Sequence, residues 1–423
     1  MTQDNRLRNN CFALPRGVSW TPVEKAIEQL KRGLSNIKGI EIISTTHALG
    51  RILASPVNAI LSNPPYSNAA VDGYGFCGPA KTKVSKLKVM PGVAAAGAPF
   101  FGKVPEGSAL RILTGAILPE GVDTVLLDED IDQIDNFSIT FDVSLKAGAN
   151  TRKSGEDVFE GEQIFSKGHK LRPQDLALLA ATGNATLNVF SILRVGVIST
   201  GNELLDAQTI SFEQSKPGRI FDSNRPMLLS LIANWGYEVS DFGIINDDLD
   251  ATRNVLNEAR KSVDAIIISG GVSAGDEDHV SRLIKSEGQL ENWRIAIKPG
   301  RPLALGLWKG IPIFGLPGNP VAALICSLIF ARPALGLLAG HGWINPQGYL
   351  VPSGFDKQKK IGRREYLRAR LSQDGNAEIF PSEGSGRISS LSWSTGLLEL
   401  MDNEDKILKG DMVKYIPYSS FEI

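Results

Sequence analysis

Residues 263–280, VDAIIISGGVSAGDEDHV, constrain the fold of this chain more than any other stretch. Residues 265–268 form a short, unbroken apolar run rich in β-branched side chains and bounded by turn formers, which predicts a parallel strand buried on both faces. The run ends at Gly270 and Gly271, with Gly275 beyond, and backbone without Cβ atoms can approach a ligand closely. Ser269 and Ser273 offer hydroxyls there, and Asp276, Glu277 and Asp278 offer carboxylates. HVSRLIKSEG then reads as a helix. Strand, glycine turn and helix place a ligand crevice at the carboxyl end of a parallel sheet. The turn is no Walker loop, because no Lys-Ser/Thr follows the glycines, and no GxGxxG fingerprint. Its acidity suits a divalent cation carried in with an anionic substrate. Taken alone, it reads equally as a tight turn followed by a solvated acidic loop.

From about 191 to 341, apolar β-type runs alternate with helical patterns, so the surrounding fold is an α/β domain with a mainly parallel sheet, RIAIKPGRP supplying one of its strands. Five loops fall after strand ends, at 200–203, 247–248, 269–278, 298–301 and 317–320. Lys298 and Arg301 flank the rigid turn of IKPGRP. In LPGNP, Asn319 is a helix cap and Pro320 the first helical residue, which aims free N–H groups and the positive dipole end at the crevice. Acids and bases on one rim suit a phosphate-bearing ligand with a cation between its oxygens. The alternative is a network of structural ion pairs around a sheet edge.

At 423 residues the chain exceeds one hydrophobic core, which predicts about three or four domains. Lys and Arg number 45 against 46 Asp and Glu, and the net charge of -1 supplies no field for nucleic-acid or membrane binding. Cys11, Cys77 and Cys326 are isolated and form no CxxC pair, which supports neither a disulfide framework nor a structural zinc site and fits a reducing cytoplasm. The polar N-terminus lacks the apolar core of a signal peptide, and the apolar run 321–330 is too short to span a bilayer.

In TPVEKAIEQLKRG, Thr21 reads as a helix cap, Pro22 as the first helical residue, Glu24 as its capping partner and Gly33 as the stop. Residues 50–150 alternate short β runs with Pro and Gly turns, an all-β pattern. Two of its loops carry Asp72 and Thr114; for Asp72 alone, a structural Asp-Gly turn is the favoured reading. Arg152 and Asp157 punctuate the next turn region as a candidate pair, before a helix over 173–181. After about 342 the texture is β again, and IGRREYLRARL alternates. Arg364, Tyr366, Arg368 and Arg370 then share one face, read as a solvated surface ahead of a cleft wall, on a small β-barrel.

Ten motifs in order carry a resemblance: VDGYG, RILTGAILPEGVD, GEDV, STGNEL, DSN, SGGVSAGDED, IKPGRP, GLPGNPV, GRREYLRARL and GSGRISSL. Together they resemble the molybdopterin molybdenumtransferase family, bacterial MoeA and the E domain of gephyrin. The resemblance implies four domains per subunit of an elongated homodimer: a split linker domain (15–49 and 151–190), an inserted β-rich domain (50–150), an α/β molybdopterin-binding domain (191–341) and a C-terminal β-barrel (342–423). It implies insertion of molybdate into the dithiolene of adenylylated molybdopterin, with Mg²⁺-dependent release of AMP. It also implies a composite cleft, with Asp72 and Thr114 facing the α/β rim of the other subunit. Carried over residue by residue, Asp72, Thr114, Glu203, Asp247, Asp278 and Lys298 are catalytic, and Glu203, Asp247 and Asp278 are the metal ligands. Asp157, Ser269, Gly270, Gly271, Ser273, Arg294, Arg301, Pro317, Gly318, Asn319 and Pro320 bind substrate. The adenylyltransferase of the preceding step and recipient molybdoenzymes are the implied partners.

The chain departs from the family pattern at Asn202, where many members carry Asp, and at Arg294, where some carry Lys and a planar fork replaces a point donor. Two rival readings remain at this level. One is a molybdopterin adenylyltransferase, which the extra β domains and SGGVS argue against; the other is a cofactor carrier, which Asp72, Asp247 and Asp278 argue against.

Overall fold

Arg194–Thr200 (β1), Glu238–Ile245 (β2), Ala265–Ser269 (β3), Gln289–Arg294 (β4), Pro302–Trp308 (β5) and Ile311–Leu316 (β6) form one sheet in the order β2-β1-β3-β6-β5-β4. A computed structural model describes residues 20–80, 85–135, 137–209, 217–271, 279–300, 302–382, 384 and 386–423. They divide into two units, one of 41–189 and one of the remainder. In the latter, β1 pairs in parallel with β2 and β3, and β3 with β6, while β5 runs antiparallel to both β6 and β4. All five residues of β3 are buried, as its β-branched run requires of a central strand. Ile266 and Ile268 pack with Leu256, Ala259, Leu283 and Ile284 of the helices Leu249–Ala259 and His279–Glu287. Each such fully buried side chain contributes roughly 1.5–3 kcal/mol. The helix Asn224–Asn234 packs on β1 and β2.

RIAIKPGRP does not form a strand of this sheet as one piece. Arg294 ends β4 opposite Pro302, and Ile297–Lys298 leaves to pair in parallel with Arg364 and Glu365. It thereby starts a second six-stranded sheet that continues through Arg364–Leu371, Gly396–Leu400, Met412–Pro417 and Tyr349–Pro352, with Ala377–Ile379 on Arg364–Leu371. The alternation of IGRREYLRARL is a strand, but its arginine face is not solvated. Arg364 and Arg368 are buried and only Arg370 is exposed. Arg364 bonds Glu24, Glu399 and Asp402, and Arg368 donates to Ser390 Oγ at 2.9 Å and the Ser382 carbonyl at 2.8 Å. Charges can be buried here because each meets a partner.

The apolar run after Asn319 is longer than expected. The helix continues over Pro320–Ala339, 20 residues, long and apolar enough to cross a membrane, with 94% of its apolar window buried inside the protein. A π-helical turn at Ser327–Ala331 lies just ahead of Pro333, a position where the missing proline N–H is tolerated. The N-terminal helix, Val23–Gly33, packs on Arg332–Ala339 and buries Val23, Ala26 and Leu30. Thr21 does not cap it: no side-chain cap is made, Pro22 holds the cap position, and Thr21 bridges to Ile295. Glu24 is spent on Arg364 instead.

The unit 41–189 contains a third six-stranded sheet, in the order Thr124–Leu127, Gly73–Phe76, Ser108–Ile112, Ser85–Ala94, Ser138–Phe141, Gln133–Ile134. Two apolar clusters flank it, one around Leu110, Ile112 and Val125 and one around Phe76, Leu126 and Phe141. A separate core joins Leu53 and Val57 to Leu171, Leu179 and Val189, with Leu179 on the helix Pro173–Ala181.

Candidate functional site

At the carboxyl ends of β1, β3 and β6 the chain opens a cleft of about 260 Å³. Its lining includes Thr200, Glu203, Asp222, Asn224, Asp247, Ser269, Gly270, Gly271, Gly318 and Pro320. Four of the five rim loops read from the sequence therefore contribute. The described residues of the fifth, 298–300, do not: Lys298 is not a lining residue and its Nζ donates to Glu365 Oε1 at 3.2 Å on the C-terminal sheet. Glu365 also pairs with Lys357, at 3.3 Å.

The glycine pair is required by close approach. Gly270 and Gly271 have φ of +89° and +61°, and a Cβ on Gly270 would stand 2.3 Å from the Thr200 carbonyl. A Cβ on Gly271 would stand 2.8 Å from Thr200 Oγ1. Tight contact between the β1 and β3 ends thus sets the cleft floor. Gly201 serves Glu203 in the same way, because a Cβ there would meet the Glu203 Oε2 carboxylate at 2.7 Å. Asn202 and Asp247 lock two rim loops by reciprocal bonds: Asn202 N donates to Asp247 Oδ2 at 3.3 Å and Asp247 N to Asn202 Oδ1 at 3.2 Å. An amide at Asn202 makes this pairing without setting a second carboxylate against Asp247.

Asn319 caps the long helix as the sequence predicts, and that changes the anion argument. Its Oδ1 accepts from Val321 N at 3.1 Å and Ala322 N at 3.2 Å, so those N–H groups are satisfied internally and not free for a ligand. What remains of the positive helix end is its dipole. Gly318 faces the cleft with its carbonyl accepting from Asn224 Nδ2 at 2.8 Å, while the same Nδ2 donates to Ser269 Oγ at 2.7 Å. Asn224 and Asp222 were not among the predicted site residues, although DSN was a recognisable motif. Their signal is Asp two positions before a helix start: Asp222 Oδ1 accepts from Asn224 N at 3.0 Å and Arg225 N at 3.1 Å. Arg225 is buried in turn and bonds Asp206 and Asp241. Desolvation alone would lower its pKa, but those carboxylates outweigh it and the net shift is upward.

Asp72 and Thr114 lie in the other unit and are brought together there. Thr114 donates to Asp72 Oδ1 from both Oγ1, at 2.6 Å, and its backbone N, at 2.7 Å. Those two bonds, the hydroxyl first, hold the Asp72 carboxyl below the usual carboxylate range. Asp157 accepts from Asn63 Nδ2 at 2.7 Å, which displaces the expected pairing with Arg152. Ser273, Asp278 and Arg301 lie outside the described residues, as does the Arg294 side chain. Of the predicted LPGNP residues, Gly318 and Pro320 line the cleft and Pro317 and Asn319 do not.

Among the described residues no three His, Cys, Asp or Glu side chains converge to hold a metal ion. Glu203 and Asp247 nevertheless share the cleft, with Asp222 Oδ2 buried and without a hydrogen-bond partner among the described residues. This oxygen-only donor set fits Mg²⁺, which is usually held by one or two carboxylates plus substrate phosphates.

The chain matches three family descriptions: "MoeA N-terminal region (domain I and II)" over 21–183, "Probable molybdopterin binding domain" over 196–336 and "MoeA C-terminal region (domain IV)" over 351–418. It is 32% identical to the molybdopterin molybdenumtransferase of Haemophilus influenzae, covering 90% of this chain and 94% of that one. It is 30% identical to gephyrin of Dictyostelium discoideum, covering 95% of this chain and 63% of that longer protein. A crystal structure of a molybdopterin biosynthesis MoeA protein from Pyrococcus horikoshii superposes with a TM-score of 0.81 at 27% identity, covering 95% of this chain and all of that one (100%).

Proposed function

Because the chain belongs to the molybdopterin molybdenumtransferase family, we propose that it inserts molybdate into the dithiolene of adenylylated molybdopterin, releasing AMP and giving molybdenum cofactor. The observation that carries this reading is the single cleft in which Glu203, Asp247, the Ser269–Gly271 turn and Gly318 meet. In the release step the anhydride P–O bond breaks as water oxygen adds to phosphorus, leaving AMP and the phosphate of molybdopterin. Glu203 and Asp247, together with Asp278, are the residues that would hold Mg²⁺. The chemistry such an ion would supply is neutralisation of charge on the phosphate oxygens. Gly270 and Gly271 let the backbone approach the substrate, and Asp247 orients the attacking water. Lys298, fixed by Glu365, offers its positive charge to molybdate or to the leaving phosphate, with Arg294 and Arg301 nearby in sequence. Ser273, Pro317, Asn319 and Pro320 complete the substrate loops, and Asp157 the turn at 155–158.

The reading includes a homodimer in which Asp72 and Thr114 of one copy complete the cleft of the other, and the domain limits 15–49 with 151–190, 50–150, 191–341 and 342–423. The family descriptions, which name a domain I and II region, a binding domain and a domain IV, support that division. A bridge from Ser353 to Ala377 between opposite edges of the C-terminal sheet supports its closure as a barrel. The substrate comes from an adenylyltransferase, the product goes to molybdoenzymes, and the setting is the cytoplasm. A single-turnover assay with adenylylated molybdopterin, Mg²⁺ and molybdate tests the reading. Molybdate-dependent AMP release that falls at least tenfold in Asp247→Asn supports it; tight binding without AMP release defeats it and leaves a carrier.

A further inference from the structure

The cleft has an apolar wall that its acids and glycines do not explain. Leu204, Ile220 and Phe221 line it beside Thr200, Asn224 and Glu203. Ile220 is 58% exposed and Phe221 38% exposed, large apolar side chains at the mouth of a polar cleft. Their backbone is tied down: Ile220–Phe221 pairs in parallel with Leu204–Leu205, Ile220 N donates to the Glu203 carbonyl at 2.8 Å and Asp222 N to the Leu205 carbonyl at 2.9 Å. The wall is therefore registered against Glu203 on one side and Asp222 on the other. An apolar face held rigidly beside a few polar groups is the usual composition of a small-molecule site, and a planar heteroaromatic ring satisfies both halves, its face on the apolar wall and its edge toward polar atoms.

The polar groups behind the wall favour a ring edge rich in donors. Asn224 Nδ2 is committed to Ser269 Oγ and to the Gly318 carbonyl, an acceptor only, which fixes the amide orientation and leaves Oδ1 as its remaining acceptor. Asn224 Oδ1, Asp222 Oδ2 and Thr200 Oγ1 are all buried without a hydrogen-bond partner among the described residues. Three oxygens without a hydrogen bond on three residues that line one cleft, of which Asp222 Oδ2 has only the Arg225 Nε charge at 3.8 Å, are costly unless a ligand or water answers them. A pterin carries N–H donors along its pyrimidine edge and a flat face, and so matches the oxygens and the wall together.

We propose that Ile220 and Phe221 form the ring shelf of this cleft, with the face of the substrate pterin on Phe221 and its N–H edge toward Asp222 and Asn224. The inference rests on the proposed function for the identity of the ring. Loss of one stacked aromatic weakens ring binding roughly tenfold.

The test uses the full chain and three variants, Phe221→Ala, Phe221→Trp and Ile220→Ala, with two separate probes, free pterin and AMP. Pterin fluorescence is expected to be quenched on titration with the wild type. Phe221→Ala is expected to weaken pterin binding roughly tenfold and to raise KM for adenylylated molybdopterin. Phe221→Trp is expected to restore binding and deepen the quenching, and AMP affinity is expected to stay constant throughout. Unchanged pterin affinity in both alanine variants overturns the shelf, as does a loss confined to AMP, which would put adenine there. Failure of the wild type to release AMP defeats the transferase reading instead, and the pterin titration still judges the shelf on its own.

Discussion

Replacing Asn224 with Ala removes one side chain that ties two loops of the cleft together. Asn224 is 5% exposed, and its Nδ2 spans 2.7 Å to Ser269 Oγ and 2.8 Å to the Gly318 carbonyl. Each lost bond is worth about 0.5–1.5 kcal/mol net, and a buried carbonyl left without a donor costs about 1–3 kcal/mol. Ala is a better helix former by no more than about 0.7 kcal/mol, which offsets little. The net loss is about 2–3 kcal/mol, or roughly 4–12 °C in the melting temperature of a unit this size. Urea unfolding followed by tryptophan fluorescence measures the loss, and hydrogen exchange at Ser269–Gly271 reports whether the floor has loosened. Asn224→Asp is the informative control, because it sets an acceptor against the Gly318 carbonyl and is expected to cost at least as much as Ala. If Asn224→Ala stays within about 0.5 kcal/mol of wild type with unchanged exchange at the glycine turn, the two bonds do not hold the loops and the reasoning fails.

Gly270→Ala is expected to fold poorly or lose substrate binding at least tenfold, since a Cβ would stand 2.3 Å from the Thr200 carbonyl at a φ of +89°; wild-type Kd and melting would refute the close-approach argument. Thr114→Val removes the hydroxyl that does most to hold the Asp72 carboxyl low, so the Asp72 pKa should rise toward 3.8 in a carboxyl-carbon NMR titration, and no upward movement would contradict that cause. Burial pushes the Asp175 carboxyl up, but hydrogen bonds from the Arg172 side chain, from His169 and from the Arg172 backbone outweigh it and bring the pKa to about 2 against an ordinary 3.8. The group is depressed on folding, so its stabilisation is complete above about pH 3.8 and is lost as pH falls toward 2; Asp175→Asn should flatten that slope of stability with pH, and an unaltered slope would count against it.

What the sequence made legible was local chemistry, and what it hid was pairing across distance. The strand at 265–269, the glycine turn, the Asn319 cap and the helix at 173–181 each declare themselves within about ten residues, because periodicity and backbone freedom are short-range properties. The same holds for Glu203 and Asp247, which sit on loops that any parallel sheet would bring to one rim. Thr21 shows how a local rule loses: the capping pattern is intact, but a bridge to Ile295 and an ion pair from Glu24 to Arg364 claim its two members. Asn319 shows a rule that succeeds and overturns its own corollary, since a side chain that caps the helix also consumes the N–H groups offered to an anion.

The arginine strand carries this furthest. Alternation at 364–371 identifies a strand correctly, yet alternation distinguishes only two faces and says nothing about which one meets water. A charged face is ordinarily the wet one, and it is dry here because Glu24, Glu399 and Asp402 arrive at Arg364 from sequence separations of 340, 35 and 38 residues. Tyr366 joins the same carboxylate, donating to Glu399 Oε1 at 2.9 Å, and burial pushes its hydroxyl pKa well up. Ile297–Lys298 docks on the edge of this strand, and Lys298 is held by Glu365 from within it. The buried ion pairs lie on the strand against which Ile297–Lys298 pairs, and Lys298, the cation expected on the cleft rim, is held on that sheet and is not in the cleft lining. A lysine held by a different sheet from Glu203 and Asp247 has no short-range sequence signature, because its placement depends on Glu365, 67 residues away.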